Sequence, residues 1–380
     1  MNGTDFNCGN VVLNPQLLDY IKVGLHIILF VCGAPLNSIF LYQLIGERTR
    51  AFHLLSLHIN LSDHIVLYGY VLSEIAWVLA WAWRAGNVFC KLVKFVQILA
   101  FYISSNIVIC ISVDRFLLMT GRRCLLYRLT RVRRMVCLAW IVAIICSLPQ
   151  LVIWSTTFDS CRGVPECVSI FTLHKWERRA WRNDTTYNDN QLNYEVLEKV
   201  YLILHIVLVF WIPFSVIICC YGLILYKMTF AKRRRNSHKD EDVLDSSGAE
   251  AQIQMSGREG VMNSTSVSSR NSLLPHRFSH ISTCSHRELI NNVAPNVLLR
   301  KAKSHTLKVA VLLVTAYILT WGPYNILAFW SLLFQESYRE NTILIHGIEF
   351  LYVLIVFNSV INPLIYGWTV LKKHFSKVNV

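Results

Sequence analysis

Residues Cys90–Met119 read CKLVKFVQILAFYISSNIVICISVDRFLLM. A cysteine and a lysine open the stretch. Phe95–Val113 is then apolar except for the uncharged polar residues Gln97, Ser104, Ser105, Asn106 and Ser112. The stretch closes on an ionised pair, Asp114–Arg115, beside Phe116. A helix needs about 20 apolar residues to cross the hydrocarbon of a bilayer, and this run supplies them. A charged pair at the end of such a helix can be a plain interfacial anchor. The order of features says more than the pair. A cysteine stands at one end, polar residues dot the run, and Asp-Arg-aromatic stands at the other end, with Cys90 25 positions before Arg115.

The chain around this stretch has 380 residues, 54% hydrophobic and 16% charged, with 12 cysteines. Its mean hydropathy is +0.42. A soluble domain carries more charge, nearer a quarter of its residues. The formal net charge of +14 would suit a nucleic-acid partner, but the basic residues gather in loops between apolar runs. That placement follows the positive-inside rule of membrane proteins and argues for no nucleic acid. The first nineteen residues contain no Lys, Arg or apolar core, so no cleavable signal is expected and the first span would direct insertion. No zinc-ligand spacing, phosphate loop or dinucleotide fingerprint is present, which speaks against an enzyme and against a bound cofactor.

Seven apolar segments are expected as spans, at 20–45, 54–80, 88–119, 135–155, 198–228, 305–334 and 343–368. Backbone polar groups in lipid must be satisfied within the segment, so each is helical. The short basic loops set the orientation. Arg48 and Arg50 follow the first span, Arg122, Arg123, Arg128, Arg131, Arg133 and Arg134 the third, Lys232–Arg235 the fifth, and Lys372 and Lys373 the seventh. All lie on the cytoplasmic side if the N-terminus is outside. Lys175, Arg178, Arg179 and Arg182 on the other side weaken this asymmetry without reversing it. The expected organisation is an extracellular segment at 1–19, a seven-transmembrane bundle at 20–368 and a short cytoplasmic tail at 369–380. Within the bundle, 229–304 is polar and Ser-rich and reads as a disordered intracellular loop.

The remaining spans each carry residues that a lipid-facing helix does not need. These are Asn37 in the first, Asp63 in the second, Trp140 and Pro149 in the fourth, and Pro213 and Tyr221 in the fifth. The sixth carries Trp321-Gly322-Pro323, and the seventh Asn362-Pro363-Leu364-Ile365-Tyr366. In this order on seven helices, and with the Cys90–Phe116 pattern, the chain resembles the rhodopsin-like G-protein-coupled receptors along nearly all of residues 20–375. The resemblance implies an all-α membrane protein of the plasma membrane, with the N-terminus extracellular and a heterotrimeric G protein as partner. Receptor kinases and arrestin are further partners it implies.

Site residues follow from the same resemblance. Asp114, Arg115, Phe116, Tyr221, Leu307, Pro323, Asn362, Pro363 and Tyr366 would carry activation and coupling. Asp63 is an ionisable group in mid-membrane and a functional site by default. With Ser104, Asn358, Ser359 and Asn362 it would hold an allosteric sodium ion. Cys167 would bridge to Cys90, leaving Cys8 and Cys161 as a candidate second pair. Asn2 and Asn183 begin glycosylation sequons. The chain departs from the commonest family pattern at Phe116, Tyr317 and Lys303. Lys303 stands where a Glu often pairs with the arginine, so Arg115 would rest on Asp114 alone.

The ligand is argued from the outer half. No Lys lies in 343–368, so a retinal Schiff base is excluded. Gln97 replaces the aspartate of amine receptors. The stretches 73–91, 300–308, 321–330 and 362–367 resemble receptors for gonadotropin-releasing hormone, adipokinetic hormone and corazonin, with vasopressin/oxytocin-like receptors as the alternative. That group implies an extracellular amidated peptide hormone, signalling through the Gq class. Its contacts would be Glu74, Trp77, Gln97, Trp321, Tyr324, Asn325 and Trp330. A transporter or channel is the reading of another class. It would need charged groups along several spans, and the mid-membrane charges reduce to Asp63.

Overall fold

The computed structural model describes residues 17–45, 51–119, 127–180, 191–230, 294–334, 347, 350–365 and 367. Among the described residues, six helices are long and apolar enough to span a bilayer. They are α1 (Leu17–Ile45), α2 (Ala51–Ala80), α3 (Gly86–Met119), α4 (Arg128–Ile153), α6 (Asn193–Phe230) and α7, whose apolar part is Leu307–Leu333. A shorter apolar helix, α8, covers Phe350–Ile365. Between α4 and α6 lie a two-stranded antiparallel hairpin, β1 (Trp154–Asp159) and β2 (Val164–Ser169), and a helix α5 (Ile170–Ala180).

The expected spans are all met by helices, with ends that differ for physical reasons. α4 begins at Arg128, inside the basic stretch read as a loop, because Arg, Leu and Met are good helix formers whether or not lipid surrounds them. α7 begins at Ala294, so the end of the segment read as disordered, 294–304, is helical. Pro295 sits in its first turn, where a missing N–H costs nothing. Residues 231–293 lie outside the described ones, as do Asn2, Asn183 and Tyr366. The chain forms two compact units, Met1–Tyr221 with Ala302–Val380, and Gly222–Lys301. Everything below concerns the first.

α3 is the central strut: 67% of its most apolar window is buried, against 22% for α2 and 28% for α6. Its polar residues therefore face protein. Gln97, Ser104, Ser105, Ser112, Asp114 and Arg115 are all buried. The outer helices instead expose apolar side chains, such as Ile28 and Val31 on α1, Ile141 and Ile145 on α4 and Leu204 on α6. This is the surface a bilayer covers, and the chain is a multi-pass membrane protein.

α2 is not a regular helix. Ile65–Val71 winds in wide π turns directly after Asp63 and His64. Gly69 lies in this segment, where an added Cβ would come within 2.8 Å of Val96 on α3. α2 ends on Trp81 in the left-handed conformation, φ 52°. That geometry is costly for a non-glycine residue and persists only where neighbours over-determine it. Here Arg162 from the hairpin turn donates to the Trp81 carbonyl at 2.8 Å and lies 4.2 Å over its ring.

The hairpin is fastened to α3 as well. Cys167 of β2 is disulfide-bonded to Cys90 in the first turn of α3, and both are buried. Trp83 donates its backbone N–H to the Pro165 carbonyl at 2.7 Å. Cys161 is also disulfide-bonded, and Cys8, the partner considered for it above, lies outside the described residues. Replacing Cys90 with Ala releases β2 from the strut. Loss of a native bridge costs about 2–5 kcal/mol, so Cys90→Ala should lower the thermal midpoint of the purified protein and its cell-surface level together. Wild-type values for both would contradict this role.

Candidate functional site

A cavity of about 330 Å3 lies between α3, α4, α6, α7 and α8, below the hairpin and α5. Its lining is mostly apolar, with Ile98, Ile153, Phe171 and Leu332 among the walls. Its polar groups are mainly neutral: the Gln150 amide, the Tyr201, Tyr324 and Tyr352 hydroxyls and the His205 imidazole. Gln150 donates to the Tyr201 hydroxyl and accepts from Trp154 Nε1 at 2.7 Å. The Tyr324 and Tyr352 hydroxyls are 2.7 Å apart, joining α7 to α8. Tyr102 and His205 Nδ1 meet at 3.1 Å. One carboxylate, Glu198, reaches the lining, and Lys175 of α5 neutralises it at 2.7 Å. Such walls suit an apolar group carrying uncharged hydrogen-bonding atoms. Among the described residues they offer no free carboxylate to a cation.

Beside α2 lies a separate charged cluster. Lys94 is buried, with its ammonium 4.3 Å from the centre of the Trp77 ring and 4.7 Å from that of Trp154. Its carboxylate is Glu74, 3.5 Å away, which also accepts from Gln97 Nε2 at 3.0 Å. Gln97 donates in turn to Ser73 Oγ at 2.9 Å. Trp77 Nε1 donates to Glu166 Oε2 at 3.1 Å, and Arg162 holds the other Glu166 oxygen at 2.7 Å. Burial pushes the Glu166 carboxyl above its ordinary range, against the pull of Arg162 and Trp77. The cluster ties α2, α3 and both strands into one piece.

Deeper in the bundle, Asn362 Nδ2 donates to both Asp63 oxygens, at 3.1 and 3.2 Å. Asn60 donates to Asn37 Oδ1 at 2.7 Å, and Asn37 donates to the Gly33 and Ser359 carbonyls. Asp63, Ser104, Asn358, Ser359 and Asn362 are all at most 2% exposed. Among the described residues, Asp63 has no cationic side chain beside it, and Asn358 Oδ1 has no donor. In α6, the Val209 carbonyl accepts from two hydroxyls, Ser105 at 2.7 Å and Tyr317 at 2.9 Å.

At the far end of α3, Asp114 holds two guanidinium groups. Arg115 Nη2 lies at 2.8 Å, while Arg128 of α4 donates through Nε at 2.9 Å and Nη2 at 2.6 Å. Arg115 is 0% exposed and stacks 5.1 Å from the Phe52 ring centre. Among the described residues, its Nε and Nη1 have no hydrogen-bond partner.

Comparison with known proteins matches residues 36–366 to the 7 transmembrane receptor (rhodopsin family). The chain belongs to that family. It is a receptor rather than an enzyme. The G-protein coupled receptor daf-38 of Caenorhabditis elegans is 32% identical over 93% of this chain and 89% of its own. The vasopressin V1b receptor of Mus musculus is 25% identical over 83% of this chain and 64% of its own. The gonadotropin-releasing hormone receptor of Octopus vulgaris is 24% identical over 90% and 68%.

In this receptor the residues expected to touch ligand are scattered. Of Glu74, Trp77, Gln97, Trp321, Tyr324, Asn325 and Trp330, Tyr324 alone is among the cavity-lining residues. Glu74, Gln97 and Trp77 are engaged in the Lys94 cluster. Trp321 is packed edge-on against Phe101, and Asn325 is spent on the Trp321 carbonyl at 2.8 Å. Trp330 is 50% exposed and stacks on Phe334. Sequence reasoning overlooked Lys94, Gln150, His205 and Tyr352. For Lys94 the signal was present: a lysine one helical turn before Gln97 in an apolar run needs a carboxylate, and Glu74 was the available one.

Among the activation residues, Asp114, Arg115, Asn362 and Pro363 are buried, Phe116, Tyr221 and Leu307 half-buried, and Pro323 exposed on α7. Among the described residues Arg115 does rest on Asp114 alone for its ion pair, but Asp114 is shared with Arg128. Removing Arg128 deprives a buried carboxylate of two charge-assisted bonds. Hydrogen bonds to charged groups contribute about 1.5–3 kcal/mol each. Arg128→Ala should therefore lower the denaturation midpoint measurably, while the exposed Arg133→Ala and Arg134→Ala should not. Equal effects from all three would show that Arg128 is only another loop cation.

Proposed function

We propose that the chain is a plasma-membrane receptor for an amidated neuropeptide of the gonadotropin-releasing hormone and adipokinetic hormone type. Its N-terminus is extracellular, and its G protein is of the Gq class, so that agonist raises cytosolic calcium. The observation that carries the reading is the neutral, hydroxyl- and amide-lined cavity beneath a hairpin fastened to α3. A blocked, amidated peptide offers uncharged N–H and C=O groups together with aromatic rings, which such walls can pair and enclose. The octopus relative supports the ligand class. The basic inner turn of α4 supports the orientation.

A vasopressin/oxytocin-like peptide is the second reading. The mouse vasopressin V1b receptor, the annetocin receptor of Eisenia fetida and the oxytocin receptor of Ovis aries are similar to this chain over comparable lengths. These ligand types share the need for a neutral cavity and differ in the ring that a disulfide closes in the vasopressin type. The test is a screen of both peptide sets for calcium release in cells expressing the full chain. Linear amidated peptides should respond at the lowest concentrations. A response confined to cyclic, disulfide-closed peptides would overturn the first reading in favour of the second.

The same reading gives the Asp63 cluster a role. Its donor set fits a hard monovalent cation: a buried carboxylate without a cationic side chain, two serines, and an amide oxygen that lacks a donor. Asp63, Ser104, Asn358, Ser359 and Asn362 would hold sodium, which supplies the positive charge that the carboxylate lacks. A cation that binds the resting arrangement better must lower agonist affinity by the same factor. Raising sodium at constant ionic strength should weaken agonist binding in the wild type and leave Asp63→Asn unaffected. A mutant that keeps the full sodium effect would remove Asp63 from the site.

A further inference from the structure

Val209 lies in the wide π turns Val207–Trp211 of α6. In α-helical register its carbonyl would accept the N–H of residue 213, but residue 213 is proline and has none. Two other helices supply the donors. Ser105 Oγ of α3 reaches the Val209 oxygen at 2.7 Å and Tyr317 Oη of α7 reaches it at 2.9 Å. Each hydroxyl has one proton to give and a carbonyl has two lone pairs, so the three groups match. The two hydroxyl oxygens are 3.2 Å apart, and with both protons on the carbonyl that side of the triangle is a contact rather than a third hydrogen bond. Val209, Ser105 and Tyr317 are all at most 2% exposed. Tyr317 is also walled in, stacked 6.0 Å from the Phe210 ring and tilted at 5.4 Å from Trp321.

We infer that this triangle is a polar latch that holds α7 to α3 and α6 in the resting receptor, with Tyr317 and Ser105 setting the basal activity. The inference rests on the proposed function as a G-protein-coupled receptor, with Arg115 among the coupling residues that the family resemblance implies. Arg115 is fully buried on Asp114 in this arrangement, so no partner can reach it. Moving α7 outward draws the Tyr317 hydroxyl off the carbonyl and leaves that oxygen a donor short in a dry interior. Tyr317, Trp321 and Tyr324 follow at helical spacing on α7, and Tyr324 lines the cavity. A ligand pressing on Tyr324 therefore acts on the same helix face that carries the latch.

Tyr317→Phe removes the hydroxyl and keeps the ring. In membranes holding the full chain and a co-expressed G protein, agonist-independent exchange of a GTP analogue should rise by about twofold to tenfold, the range of one net hydrogen bond. Ser105→Ala should move it in the same direction. Pro213→Ala restores an N–H in register with Val209, so the effect of Tyr317→Phe should shrink in that background. Hydrogen exchange on the purified chain, across 207–214 and 313–321, needs neither ligand nor G protein and should quicken in Tyr317→Phe. A Tyr317→Phe chain with wild-type exchange in both assays overturns the latch. So does a Tyr317→Phe effect of equal size with and without Pro213, because the freed carbonyl would then not be the acceptor.

Discussion

A polar group buried in a bilayer-spanning bundle must find its partner inside the protein, and often in another helix. That constraint recurs at each level of this receptor. Lys94 is matched by Glu74 and two indole rings near one end, Asp63 by Asn362 in the middle, and Asp114 by two arginines near the other end. Each match joins different helices, so the polar residues act as the cross-links and the apolar residues as filler. Backbone obeys the same rule. Where Pro213 withholds its N–H, the Val209 carbonyl is served by two hydroxyls that could not have been placed there by packing alone.

Such cross-links are also what allows more than one arrangement. Apolar contacts between helices change little when one slides past another, but a hydrogen bond is made or unmade. The cluster around Asp63, the pair at Asp114 and the Val209 carbonyl lie at successive depths along α3, α6, α7 and α8. Arg115 leaves two of its nitrogens unpartnered while buried, which marks it as the group with most to gain from a different arrangement.

Much of this was legible in the residues. An apolar run interrupted by serines and ended by Asp-Arg reads as a membrane-spanning helix, and α3 is one whose polar residues are mostly buried. Asp63 was legible as a mid-membrane carboxylate that needs partners, and the family resemblance supplied Asn362 among them. What stayed hidden depended on tertiary placement. Arg128 belonged to a basic run whose loop-like composition masked both its helix and its carboxylate partner. The cavity borrows its roof from β1, β2 and α5, whose pairing no periodicity announced. Glu74 and Trp77 were expected as ligand contacts, but their face of α2 meets Lys94 and Glu166 instead of the cavity lining.

The π turns at Ile65–Val71 explain why that face points where it does. A π turn accommodates one residue more than an α turn, and one residue is worth about 100° of rotation about a helix axis. Everything on α2 beyond Val71 is rotated in phase relative to everything before it. Asp63 can therefore face Asn362 while Glu74 faces α3, although a regular helix would have put them in a different angular relation. The segment works as a gear between the Asp63 cluster and the Lys94 cluster. Insertions and deletions there are consequently a different kind of change from substitutions. Shortening the segment by a single residue would keep every side chain of the outer cluster and turn the whole set away from Lys94 at once.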